Sequence, residues 1–210
     1  MDFALAGVVL LAYLIGSVSF AVLASRLFGL PDPRSFGSRN PGATNVLRTG
    51  NKYAAVMTLL GDGAKGWVAV YLARLLALRY NLGEWAIIGA ALAVVIGHIY
   101  PVFFRFVGGK GVATILGVLL ALNLWLGLSV VATWLLAAAM WRTSSLSALI
   151  AAGFAPMYAF ALFGIGRYTW LTLLLAVILI WRHKENIRNL MARREGAIGR
   201  PPKPGDMPPE

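Results

Sequence analysis

Long apolar runs alternate with short basic segments along this chain, and that alternation leaves few architectures open. The runs lie near 3–25, 53–73, 85–104, 112–141, 146–163 and 169–181. Several approach the roughly 20 residues a helix needs to cross a bilayer. Charged residues make up 13% of the chain, about half the share usual in soluble domains. The expected fold is an all-α integral membrane protein. No Lys or Arg precedes the first run, so it reads as a retained first helix and not as a signal peptide.

The run at 112–141 decides the topology. Asn123 alone interrupts it. As one helix it gives six spans, with the basic segments 26–52 and 182–194 on opposite sides. As two short helices meeting near Asn123 it gives seven, and 26–52, 105–111, 142–145 and 182–194 then share one side. Those segments hold most of the cations, so that side is cytoplasmic by the positive-inside rule. We therefore expect seven transmembrane helices, some of them short, with the N-terminus outside and the C-terminus cytoplasmic. Residues 1–195 form a single transmembrane domain. Residues 196–210 hold five of the ten prolines and read as a disordered cytoplasmic tail.

The net charge of +11 would point to nucleic acid in a soluble protein. Here the cations flank apolar runs, where they face anionic membrane lipid or hold an anionic substrate, so no nucleic-acid partner is expected. There is no Cys and there are two His. Thiol chemistry is excluded, a multi-histidine metal site is disfavoured, and no cofactor is expected. No signal of oligomeric state is present.

Polar residues gather in a few stretches. In "GSRNPGATNVLRTGNK", residues 37–52, Gly37, Gly42 and Gly50 permit tight turns and close approach to a ligand. Ser38, Asn40, Thr44 and Asn45 offer donors, and Arg39, Arg48 and Lys52 supply charge. Pro41 keeps its predecessor out of helix, and a helix opening at Ala43 would aim amides at an anion. The stretch reads as a phosphate cradle, or as a polar loop drawn to anionic lipid. "GHIYPVFFRFVGGKGVAT", residues 97–114, sets Lys110 among Gly108, Gly109 and Gly111 at a helix mouth, a flexible cation beside exposed amides. It is not a Walker motif. His98 there has either a structural hydrogen bond or a substrate role.

"RTSSLS", residues 142–147, reads as a helix cap or as a site element through Ser145. In "WRHKENIRNLMARRE", residues 181–195, a snorkelling helix end accounts for Arg193 and Arg194 and leaves His183, Asn186 and Glu195 unexplained. Asp62 and Lys65 of "GDGAKG" lie three apart inside an apolar run, so they share a helix face and can pair. Charges inside a span are paired or functional; a structural pair bracing the polar site is favoured.

Taken together, "GSRNPGATNVLR", "GHIYPVFFRFVGGKGVAT" and "HKENIRNL", in that order with "DGAKG" and "SSLS" between, resemble the PlsY family of bacterial acyl-phosphate:glycerol-3-phosphate acyltransferases. The resemblance covers nearly the whole chain to about residue 195. It implies a seven-helix fold in the bacterial cytoplasmic (inner) membrane, with the site on the cytoplasmic face. The implied reaction transfers a fatty acyl group from acyl phosphate to the 1-hydroxyl of glycerol 3-phosphate. Lysophosphatidic acid and inorganic phosphate result, in the first acylation of phospholipid synthesis.

The implied phosphate-binding residues are Gly37, Ser38, Asn40, Gly42, Ala43, Thr44, Asn45, Gly108, Gly109 and Gly111. The implied catalytic set is Ser38, Arg48, Lys110, Ser145, His183 and Asn186, with His183, Asn186 and Glu195 on the glycerol-phosphate side. Two departures touch the third motif: Asn189 stands where the family often has Arg, and Arg193 lies where a Gly is common. The proton of the attacking hydroxyl goes to a substrate phosphate oxygen without an acyl-enzyme, or to His183. Neither His98 nor His183 is followed by an Asp at the offset used by thioester-dependent glycerol-phosphate acyltransferases. The alternative from another class is a membrane transporter for an organic phosphate, for which Asp62 and Lys65 would suit a midplane site.

Overall fold

The computed structural model describes residues 2–199, and among these the regular structure is helical throughout. The elements are α1 (Asp2–Gly16), α2 (Phe20–Leu27), α3 (Ala43–Leu47), α4 (Lys52–Tyr80), α5 (Glu84–Ile99), α6 (Val112–Leu122), α7 (Leu124–Trp141), α8 (Ser144–Phe163), α9 (Arg167–Arg182) and α10 (Lys184–Met191). Among the described residues, four segments are long and apolar enough to cross a membrane: Phe3–Leu27, Glu84–Phe104, Leu124–Trp141 and Ser144–Phe163.

Asn123 does divide the long apolar run. Its backbone is extended, at φ −157° and ψ 130°, and its side chain accepts from the amides of Trp125 and Leu126. One residue thus ends α6 and caps α7, satisfying amides that a helix start leaves without an intrahelical partner. The halves are 11 and 18 residues. At 1.5 Å per residue α6 reaches roughly 16 Å, half a bilayer core. It is sheltered against α4, α7 and α9.

Two expected spans take a different form. The first run is broken at Ser17–Ser19 into α1 and α2. Ser17 turns its hydroxyl back to the Tyr13 carbonyl at 2.9 Å, and the carbonyl of Val18 accepts from Lys65 Nζ at 2.7 Å. The second run extends beyond 73 to give the 29-residue α4. Arg74 remains helical by sending its guanidinium to the Leu122 carbonyl at 3.3 Å.

Small residues set the packing. A Cβ on Gly66 would collide with the Thr114 carbonyl, and one on Gly117 with the Gly63 carbonyl, so α4 and α6 cross nearly backbone to backbone. Lipid tails provide no hydrophobic drive between helices, and such close approach gains dispersion instead. The buried core (Val70, Ala90, Val94, Val118, Leu126, Leu175) faces inward, while Leu60, Leu78, Leu136, Phe160 and Trp170 remain exposed on the outside. An outward-facing apolar surface is what a bilayer solvates. The proline-rich stretch falls largely outside the described residues. Its first part is described, and there the Ile198 amide donates to the Arg142 carbonyl at 2.8 Å.

Candidate active site

The polar stretches meet at one end of the helix bundle. In the loop before α3, Asp32 and Arg34 form an ion pair at 2.6 Å. The bond from Arg34 holds the Asp32 carboxyl below its ordinary pKa. Arg34 also donates to the Phe104 carbonyl at 3.3 Å, which ties this loop to the turn after α5. Thr44 Oγ1 lies 3.0 Å from Ser144 Oγ at the start of α8.

Asn45 is the staple of the first loop. Its Oδ1 accepts from the Ser38 amide at 3.0 Å. Its Nδ2 donates to the carbonyls of Pro33 at 2.8 Å and Phe36 at 3.1 Å. Asn45 was expected to face phosphate, but here its amide is spent on the loop's own backbone. Gly37 has φ +56°, and a Cβ there would stand 3.1 Å from the Arg48 guanidinium. The turn therefore needs glycine both for its left-handed backbone and for room.

A cleft of about 360 Å³ opens beside this loop, lined chiefly by Ser38, Asn40, Lys110, Arg182, Asn186 and Asn189. Of the residues expected at the site, Ser38, Asn40, Gly108, Lys110 and Asn186 reach its wall. Gly37, Gly42, Ala43, Thr44, Asn45, Arg48, Gly109, Gly111, Ser145, His183 and Glu195 do not line it. Gly108 and Gly109 lie packed on the end of α5, where side chains would collide with the His98 carbonyl and the His98 ring respectively. They serve close packing as well as backbone freedom. The Lys110 pKa is lowered to about 8, chiefly by burial, with Glu195 opposing and Arg182 and Arg48 adding to the shift.

A second cluster adjoins the cleft through Asn186. Ser145 Oγ and Asn186 Nδ2 both donate to Glu195 Oε1 at 2.7 Å. Asn186 is 8% exposed, and its own Oδ1 has no partner among the described residues. Arg48 reaches the same region, 3.7 Å from a Cβ built on Gly196. His183 is 2% exposed, and its Nδ1 lies 2.8 Å from the Leu179 carbonyl. A carbonyl only accepts, so neutral His183 carries its proton on Nδ1 and presents a bare lone pair at Nε2. Burial lowers its pKa to about 4, so the ring is neutral at pH 7.

Arg182 was not singled out in the sequence. It lines the cleft, donates to the Gly109 carbonyl at 3.2 Å and stacks over Tyr100 at 5.8 Å. Its position one residue before His183 was the available signal. Asp62 and Lys65 lie away from the cleft: Lys65 Nζ is 2.8 Å from Asp62 Oδ1, and the two are 2% and 4% exposed.

The arrangement can hold anions. Lys110 and Arg182 supply charge, and hydroxyl and amide groups supply donors with oxygen geometry. The family described as glycerol-3-phosphate acyltransferase matches residues 6–193. The chain is 58% identical to a glycerol-3-phosphate acyltransferase of Ralstonia nicotianae, over 92% of this chain and 93% of that one. It is 55% identical to one of Nitrosospira multiformis, over 93% and 97%. Among solved structures it is similar to PlsY (YgiH), an integral membrane glycerol 3-phosphate acyltransferase. The glycerol 3-phosphate form of that enzyme gives a TM-score of 0.85 at 34% identity, over 92% of this chain and 95% of that one. The lysophosphatidic acid form gives 0.83 at 34% identity, over 92% and 94%.

Proposed function

The chain belongs to the glycerol-3-phosphate acyltransferase family, and from that premise we propose that it acylates glycerol 3-phosphate using acyl phosphate as donor. The 1-hydroxyl oxygen of glycerol 3-phosphate bonds to the acyl carbonyl carbon. The bond from that carbon to the phosphate oxygen breaks, giving lysophosphatidic acid and inorganic phosphate. The carrying observation is the cleft itself, where Ser38 and Asn40 of the first loop meet Lys110, Arg182 and Asn186. Both substrates carry phosphate, and a cleft walled by Arg39, Lys110, Arg182 and Lys184, with one carboxylate (Glu185) and several donors, matches that chemistry.

Acyl phosphate is already an activated mixed anhydride. The enzyme's task is to orient the two ligands and to stabilise charge developing on the carbonyl and phosphate oxygens. Lys110, Arg48 and Arg182 neutralise the departing phosphate. Ser38 and Asn40 fix its orientation. Asn186 and Ser145, joined through Glu195, lie on the acceptor side with His183, whose Nε2 lone pair accepts a hydrogen bond from the glycerol hydroxyl. A base with a pKa of about 4 is too weak to hold a hydroxyl proton at pH 7, which favours a phosphate oxygen of the substrate as final acceptor. No acyl-enzyme forms in this reading.

The split at Asn123 supports the membrane reading. α1 with α2, α4, α5, α6, α7, α8 and α9 make seven crossings of a bacterial inner membrane. The N-terminus is then outside, and the cation-rich loops that meet at the cleft are cytoplasmic. Acyl phosphate enters from the bilayer and glycerol 3-phosphate from the cytoplasm. Release of phosphate from acyl phosphate that depends on added glycerol 3-phosphate tests the reaction. Uptake of an organic phosphate into vesicles without such release would favour transport instead.

A further inference from the structure

We propose that Asp62 and His98 are positioning residues for Lys110, acting through the backbone of Gly109. The inference rests on the reading of Lys110 as a phosphate-holding cation.

Gly109 is gripped from several sides. Its amide donates to the His98 carbonyl at 3.1 Å, and its carbonyl accepts from Arg182 at 3.2 Å. A Cβ on it would collide with His98 Nε2 and stand 3.0 Å from the Pro41 carbonyl oxygen. The His98 ring and Pro41 therefore press on the face where a side chain would be. Three separate sequence stretches converge on this one peptide, and the next residue is Lys110.

The His98 ring is itself held from behind. Its Nδ1 faces Asp62 Oδ1 at 3.7 Å and has no hydrogen-bond partner in the fold. That gap exceeds a hydrogen bond, so the link is electrostatic or bridged by one water. Lys65, 2.8 Å from Asp62, is anchored in turn to the Val18 carbonyl at 2.7 Å. The path runs from the break between α1 and α2 through Lys65, Asp62 and His98 to Gly109. Burying two charges within a span is costly, and neither reaches the cleft. Fixing the wall on which the Lys110 loop rests explains why both are present.

Competitive acetylation of Lys110, read by mass spectrometry across pH, tests the coupling without substrate. Lys110 faces Glu195, Arg182 and Arg48, and all three are left unchanged. The purified full chain is compared with His98→Ala, Asp62→Asn and His98→Gln, each checked for monodispersity and thermal unfolding. The wild-type midpoint is expected near 8. His98→Ala and Asp62→Asn should raise it by about one unit or more toward an ordinary lysine. Their kcat/KM should fall by about a hundredfold, as for a misplacement of about 1 Å. His98→Gln, which refills the space, should remain nearer wild type. A folded His98→Ala protein with wild-type labelling overturns the proposal, and this holds if Asp62→Asn fails to fold. Absence of acyl transfer by the wild-type chain would instead count against the reaction and leave the labelling result interpretable.

Discussion

Glu195 accepts a 2.7 Å hydrogen bond from Ser145, fifty residues earlier in the chain, and the same oxygen accepts from Asn186. One carboxylate thus fastens the segment after α10 to the start of α8. Glu195→Ala leaves two donors without their acceptor, at a cost of about 1–3 kcal/mol each when buried. We expect a lower thermal unfolding midpoint in detergent and a large loss of turnover. Glu195→Gln retains an acceptor oxygen and should lose less of both.

His183 should not titrate in the physiological range. Its pKa is pushed down from the ordinary 6.5 to about 4 by burial. The unfolded chain therefore binds the proton more readily between those values. Stability falls as pH drops through that window and is unaffected above it. An imidazole NMR titration should place the midpoint near 4, well below the ordinary 6.5. His183→Gln should lose about tenfold in turnover, the worth of one hydrogen bond. A loss near 10⁴-fold at unchanged substrate affinity, the upper range of general-base catalysis, would make His183 the base.

Lys110 sets an alkaline limit. Burial lowers its pKa to about 8, so the cation is present below that pH and is lost above it. With Lys110 in its proposed phosphate-holding role, kcat/KM should decline as pH rises through about 8. Lys110→Arg, charged throughout, should flatten that limb even if its rate is lower.

Asn123→Ala removes the acceptor of the Trp125 and Leu126 amides. Loss of an N-cap costs about 1 kcal/mol. The variant should unfold at lower temperature with its substrate KM little changed, because Asn123 does not line the cleft.

That asparagine also shows why parts of the fold were legible. Within 112–141 it is the one strongly polar side chain, and a capping amide is the physical means of ending one helix and starting the next. The break at Ser17–Ser19 was not legible. Its residues are small and weakly polar, and the turn is stabilised by Lys65, which lies far away in sequence. The length of α4 was hidden because Arg74 finds a carbonyl on another helix. In the site, the types of residue announced anion binding, but their division of labour needed coordinates. Asn45 reads as a ligand group until its three loop bonds are seen, and Arg182 draws no notice until its place on the cleft wall is seen.

Acyl phosphate as donor is the defining feature of the proposed reaction. Purified protein, in detergent or lipid, would receive glycerol 3-phosphate with palmitoyl phosphate or, in parallel, with palmitoyl-CoA. Lysophosphatidic acid and inorganic phosphate would be followed. We predict equal amounts of both products from palmitoyl phosphate and no lysophosphatidic acid from palmitoyl-CoA. Product from the thioester, or none from palmitoyl phosphate in well-folded protein, would contradict the account.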